Sequence, residues 1–307
     1  MPPIDPGTGW VDPNPPDTTN PGAGRTLLLS GIALTGVVLL ALVGVVIAKH
    51  VGVFGGSGDD GGGGPPVVLA AANQPGENAF MPSTVVAPIE IADTVAGDIA
   101  SFVAQLPPSA ARGARMVPGT QPGLYGAFGA TAVCDVPAVA NYLDAHPERS
   151  TPWAQSIGVA PQKIPYYLNT LTPVALITDT WVTSVGFIEG RATPEQTVLQ
   201  AGNAVLVDRA GVPRVRCADG NPLAPSANVD LRTLDAQGKN WDEYMPENVV
   251  AVSYAGTGGT ELVEEFTLRD LSSGEAQAYP PGGTINLGPD PAGWSPDPVA
   301  MNVPPEG

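Results

Sequence analysis

Histidine is almost missing from this chain, which holds two, His50 and His146. A zinc site built from His and Cys needs several such ligands around one ion. The two cysteines, Cys134 and Cys217, with one histidine in the large domain do not supply them. A Ser-His-Asp or Cys-His nucleophile would have to recruit His146. No G-x-S-x-G turn accompanies it, and its place after a helical stretch reads as a helix-end residue complementing the dipole. Lysine is nearly as scarce, at Lys49, Lys163 and Lys239, and 13 Lys+Arg stand against 30 Asp+Glu for a formal net charge of −17. That charge repels phosphate backbones and anionic head groups, which argues against nucleic acid as a partner and against flat docking on acidic lipid. Acidity of this order serves solubility first; affinity for divalent cations or basic partners is the functional alternative. Aromatic residues make up only 6%, few rings from which to line a glycan cleft between two carboxylates.

Long apolar runs are absent with one exception, Thr26–Ala48, which no charge interrupts. At about 1.5 Å per residue it reaches roughly 34 Å, slightly more than a hydrocarbon core, and only a helix satisfies its backbone in lipid. It predicts one transmembrane helix. The run starts too late and is too long for a cleavable signal, and Lys49-His50 follows it where a small-residue cleavage site would stand. Arg25 and Lys49 flank it almost evenly, so the charges barely orient it. The short leading tail, the two cysteines and the near absence of lysine beyond the span favour a cytoplasmic N-terminus, an extracytoplasmic domain, and location in the cell membrane. Gly36, Gly44 and Ala48 share one helix face and would let two spans approach as a weak homodimer, although apolar spans carry small residues by composition alone.

The expected layout is a disordered Pro-rich cytoplasmic tail (1–25), the span (26–48), a Gly-rich linker (49–66), an extracytoplasmic α+β domain (67–279) and a second disordered Pro/Gly-rich tail (280–307). The glycine run in the linker lacks the Lys-Ser/Thr of a phosphate-cradling loop, and no cofactor is implied. Within the domain, Ile91–Val103 has helical spacing and Pro108–Gln121 reads as a loop. Asp135 caps a helix with Pro137 in its first turn, and Pro152–Ile157 and Ile164–Leu171 complete a small helical lobe. Pro173–Phe187 reads as a strand with a bulge or turn at Asp179-Thr180, and Glu195–Gln200 is ambiguous. Ala204–Asp208 and Val212–Cys217 form the clearest hairpin, with Pro213 at an edge or bulge. Strands follow at Val249–Ser253, Leu262–Arg269 and Ala276–Tyr279. The fold class expected is α+β, a small helical lobe packed on an antiparallel β-rich unit, preceded by one transmembrane helix.

Two thiols in one extracytoplasmic domain make Cys134 and Cys217 a disulfide candidate, with two buried free thiols as the alternative. The carboxylates available for acid-base work are Asp135, Asp179, Asp208 and Glu189. Asp135 already has a capping role and Asp208 sits beside the hairpin turn. A calcium loop at Asp219-Gly220-Asn221 lacks EF-hand spacing and is ordinary turn chemistry.

The segments GRATPEQTVLQAG (190–202), AVLVDRAGVPRVRC (204–217) and GNPL (220–223), with PGLYG, Cys134-Asp135, LTPV (171–174), Asp179-Thr180 and Val182-Thr183, occur in an order that resembles an actinobacterial domain of unknown function found on single-pass membrane proteins. The resemblance runs from about Pro122 to Leu223. It implies an architecture and no activity. Two positions depart from it: Asp219 stands where similar sequences carry the second Cys of Cys-x-Cys-Gly, and Ser184-Val185-Gly186 stands where they carry Asn-His-Gly. Together these readings describe a non-enzymatic, membrane-tethered module that binds an envelope protein or polymer or acts as an assembly subunit of the envelope. The alternative is a carboxylate-dependent hydrolase of envelope glycans, which would need a cleft lined by Asp or Glu pairs and a Trp such as Trp153 or Trp181.

Overall fold

In Ala204–Val207 successive side chains enter two different interiors. Ala204 and Leu206 pack with helices, while Val205 and Val207 pack with a second sheet. A strand apolar on both faces belongs to a middle layer, and this one builds the domain outward in both directions. The structure, a computed structural model, describes residues 64–108, 112–253 and 262–287. The span expected at 26–48, the leading tail and most of the linker lie outside the described residues. Among the described residues no helix is long and apolar enough to cross a membrane.

The elements are β1 (Pro66–Ala70), α1 (Asp93–Gln105), β2 (Arg115–Pro118), β3 (Tyr125–Ala127), α2 (Val136–Ala145), α3 (Pro147–Ser156), α4 (Ile164–Asn169), β4 (Thr172–Leu176), β5 (Thr180–Ile188), β6 (Arg191–Leu199), β7 (Ala204–Val207), β8 (Pro213–Arg216), β9 (Leu223–Pro225), β10 (Asp235–Gln237), β11 (Val250–Ser253), β12 (Phe266–Asp270) and β13 (Ala276–Tyr279). One sheet has the order β10-β1-β6-β5-β11-β2, with β9 added beside β5; the other runs β13-β12-β3-β4-β7-β8. Val182, Leu199, Val250 and Val252 of the first sheet meet Val174, Leu176, Val205 and Leu268 of the second in one apolar layer. The helices cover the far face of the second sheet through Leu143, Trp153, Tyr167 and Leu168. On the far face of the first, Val67, Leu69, Trp181 and Val198 are covered by Leu231, Trp241 and Tyr244.

Local chemistry explains the joints. Asp135 accepts from the Ala138 N–H at 2.9 Å and starts α2, as expected. The β5–β6 hairpin pairs from Thr180↔Leu199 to Ile188↔Arg191 and turns at Glu189 and Gly190, both at positive φ. Gly211 (φ +73) closes the β7–β8 turn against the backbone of Gly119, where a Cβ would come within 2.0 Å of the Gly119 carbonyl oxygen. The Tyr125 hydroxyl donates to the Gly211 carbonyl at 2.5 Å. Cys134, just before α2, and Cys217, just after β8, form a disulfide with Cα atoms 5.9 Å apart.

The α+β reading stands, with corrections in the strands. The sheets are mixed, not antiparallel: β1 runs parallel to β6 and β10, β11 to β5 and β2, and β12 to β3. Alternating polarity has the same period in either direction, so it carries no information on strand sense. The segment read as one strand, Pro173–Phe187, is two strands in different sheets, and Pro108–Gln121, read as a loop, contains β2. The helix expected from Pro152 begins at Pro147. Residues 280–287, expected to be the start of a disordered tail, are held against the end of α4. Gly282 N–H donates to Thr172 Oγ1 (2.9 Å), Gly283 N–H to the Asn169 carbonyl (2.7 Å) and Ile285 N–H to Asn169 Oδ1 (2.7 Å).

Asp270 ends β12 and fixes the turn into β13. Its carboxylate accepts from the Ser272 hydroxyl (2.5 Å) and from the N–H groups of Ser272 (2.9 Å), Ser273 (2.9 Å) and Gly129 (3.0 Å). The Gln277 side-chain amide adds a fifth bond at 2.8 Å. The Ser272 hydroxyl and these backbone donors hold the carboxyl well below the usual range. A depressed folded-state pKa contributes stability above the unfolded value of about 3.9, lost as pH falls further. Urea unfolding of Asp270→Ala is expected to show a loss of about 2–4 kcal/mol at neutral pH. The same variant should lose less on acidification from about pH 5 to pH 3 than the parent does; an equal loss would contradict this assignment.

Candidate functional site

The inner face of the first sheet changes character along its strands. On β6 one face carries Leu199, then Thr197, then Glu195; on β5 the matching face carries Val182, then Ser184. Leu199 and Val182 belong to the layer between the sheets. Thr197, Ser184 and Glu195 lie toward the opening, where they line a cavity of about 450 Å³, within the usual range for small-ligand sites. β1 and β10 extend the same wall with Val68, Ala70 and Gln237.

The roof comes from the second sheet and the segment after β1. Arg216, at the end of β8, sends Nη1 to Asp219 Oδ2 at 2.6 Å, with both side chains almost fully buried. Its Nε donates to Asn203 Oδ1 (2.9 Å), and its Nη2 to the carbonyls of Ala71 (2.9 Å) and Gln74 (2.7 Å). Asp219 also accepts from Asn221 N–H at 3.1 Å, and Asn221 Oδ1 accepts from Phe80 N–H at 3.0 Å. Gly220, between them, has φ +67 and lies where a Cβ would meet Met81. This polar knot ties residues 71–80 down over the cavity.

Burial pushes the Glu195 carboxyl up from its ordinary value; the neighbouring Asp219 and Glu77 carboxylates add to the rise and Arg216 opposes it. Thr197 is 3% exposed, and its Oγ1 is buried without a hydrogen-bond partner in the protein. The cavity is therefore an acceptor-rich, preformed polar recess.

Residues 115–282, more than half of the chain, match the model of a domain of unknown function, DUF6777. The chain belongs to the DUF6777 family. No curated protein and no solved structure matches it. The DUF6777 region starts at β2 and reaches beyond β13, so it includes Ser184, Glu195, Thr197, Arg216 and Asp219. The β1 wall and the 71–78 rim come from the segment before it. Of the departures noted in the sequence, Asp219 lines this cavity; of Ser184-Val185-Gly186 only Ser184 does, and Val185, in the His position, packs in the core under the helices.

The carboxylates singled out from the sequence do not meet there. Asp135 is the α2 cap. Asp208 closes the β7–β8 turn, accepting from Ala210 N–H (2.9 Å), Val212 N–H (3.0 Å) and Arg214 Nε (2.7 Å). Asp179 accepts from Ala201 N–H (2.8 Å) and the Trp241 indole N–H (3.0 Å). Burial pushes its carboxyl up against the pull of those two donors, and Glu243 adds to the rise. Asp179, Trp241 and Glu243 line a separate groove along α1. Glu189 occupies the β5–β6 turn. Trp153 and Trp181, proposed as cleft rings, are fully buried, and Trp153 donates its indole N–H to the Gly220 carbonyl at 2.8 Å. Asp219, considered as a calcium-loop residue, is ion-paired with Arg216. Among the described residues no group of three or more His, Cys, Asp or Glu converges to hold a metal ion. Glu195 and Thr197 were missed because 195–200 showed no decisive period by itself; the gradient Glu195-Thr197-Leu199 emerges only after β6 is paired with β5.

Proposed function

We propose that the DUF6777 domain is a ligand-binding module, held outside the cytoplasm by the single span Thr26–Ala48 and facing the cell envelope. The observation that carries this reading is the cavity of Ser184, Thr197 and Glu195, a concave site with a buried hydroxyl left unpaired. Asp135, Asp179 and Asp208 each have a structural role, which favours binding over hydrolysis by those residues. The Cys134–Cys217 bond supports the compartment, because structural disulfides persist in oxidising surroundings.

The test is retention of the solubilised full chain on isolated envelopes. Ser184→Phe, which fills the cavity, should reduce retention at least tenfold while leaving the far-ultraviolet circular dichroism unchanged. Retention equal to the parent would overturn the reading, and so would turnover of envelope glycan dependent on Glu195. Orientation needs its own probe, because both native cysteines are buried in the disulfide. Val229 is 42% exposed, so V229C should react with an impermeant maleimide on intact cells; labelling only after permeabilisation would reverse the topology.

A further inference from the structure

We propose that the cavity between the sheets takes a small ligand bearing a primary ammonium group, an amino sugar or a basic amino acid, held by the carboxylates of Glu195 and Glu77. This rests on the reading of the domain as a binding module and names the ligand class for its site.

The donors and acceptors in the wall lead to this class by elimination. Arg216 is buried, and each of its three nitrogens already donates within the protein: to Asn203, to Asp219, and to the carbonyls of Ala71 and Gln74. It has no fork left for a phosphate or carboxylate, and its charge is matched by Asp219. What remains in the wall among the described residues is acidic, Glu77 and Glu195, with Lys239 as the one cation at the rim outside the Arg216–Asp219 pair. An anion would meet net repulsion. A purely apolar ligand would cover the Glu195 carboxylate and offer it no donor, which costs about 1–3 kcal/mol and more for a charged group. A sugar held by stacking has no surface to stack on, because among the described residues no aromatic ring lines the cavity.

An ammonium group fits each of these features. It brings three donors and one positive charge, and charge-assisted bonds to carboxylates are about twice as strong as neutral ones. Glu195 sits across from Ser184 in the β5–β6 register, and Thr197 is two residues further in on the same face. An ammonium at Glu195 therefore leaves the rest of a small hydroxylated or amino-acid skeleton facing Ser184 and Thr197. The groups that face Glu195 are Asp219, Arg216 and Glu77, with Lys239 at the rim. Two of them raise its proton affinity, so ligand binding should strengthen as Glu195 loses its proton.

Isothermal titration of the full chain in detergent, with matched probe pairs, tests this. The pairs are glucosamine against N-acetylglucosamine, and L-lysine against its diacetylated form; the pair that responds identifies the source of the ammonium. At least one ammonium probe should bind saturably, with its acetylated partner weaker by about tenfold or more, the scale of one charge-assisted bond lost. Glu195→Gln and, independently, Glu77→Gln should each weaken it at least severalfold. Affinity for the parent should rise with pH as the Glu195 carboxyl, lifted by burial above its ordinary value, loses its proton, and this rise should be smaller in Glu195→Gln. Equal binding of acetylated and free probes, or binding indifferent to both substitutions, overturns the ammonium assignment. If no ammonium probe binds while Ser184→Phe still abolishes envelope retention, this inference fails and the binding-module reading survives. If retention is also indifferent to Ser184→Phe, both fail.

Discussion

Replacing Cys134 and Cys217 together by alanine is expected to lower the unfolding free energy by about 4–5 kcal/mol, from the chain entropy of the loop they close. The two residues are 83 apart in sequence, and that loop encloses all of α2 to α4 and β4 to β8. The bond joins the start of the helical lobe to the end of the β7–β8 hairpin, elements that otherwise meet through side-chain packing. Both cysteines are at most 1% exposed, so reductant should act on the folded protein only through opening. Urea unfolding of the oxidised parent, the reduced parent and the double alanine variant checks this. Equal midpoints for all three would mean that the denatured chain gains nothing from losing the cross-link, and would refute the estimate.

Arg216→Met is the second large effect, about 3–5 kcal/mol, because it leaves Asp219 buried and charged without its partner. The exposed pair Arg232–Asp230 provides the comparison. There Arg232→Ala should change stability far less than Arg216→Met does, since solvent screens the charges. Arg216→Met also releases the carbonyls of Ala71 and Gln74, so residues 71–80 should gain hydrogen exchange well before the sheets do. Adding Asp219→Leu to Arg216→Met should recover part of the loss, because the stranded charge goes with it. No recovery would place the cost in the lost carbonyl bonds alone.

How much of this was legible in the sequence differs from residue to residue. Asp135 was, because a cap acts over three residues and its signal is local. The β7–β8 hairpin was, because alternation on both sides of Arg209-Ala210-Gly211 is also local. The disulfide could be named as a pair from composition and compartment logic, while its closure depends on α2 and β8 being brought together by the fold. The parallel pairs were not legible, since β1 meets β6 and β10 across well over a hundred residues and no period reports on a partner so distant. The cavity was hidden for the same reason. Asp219 and the stretch Ser184-Val185-Gly186 were visible as two unrelated departures from a resemblance, and only the register of β5 with β6 and the Arg216 knot put Ser184 and Asp219 in one wall. The acid-base candidates Asp135 and Asp208 had already drawn structural explanations from their positions, and the structure extends the same account to Asp179.

β1 begins at Pro66, directly after the glycine-rich segment, and lies inside its sheet with parallel neighbours on both sides. A pull along the chain from that end loads its inter-strand hydrogen bonds in shear, all together, instead of peeling them one at a time from an edge. The domain thus takes up such a pull through a strand paired on both sides. The same strand supplies Val68 and Ala70 to the cavity, so a pull that enters the domain through β1 acts on a strand of the cavity wall.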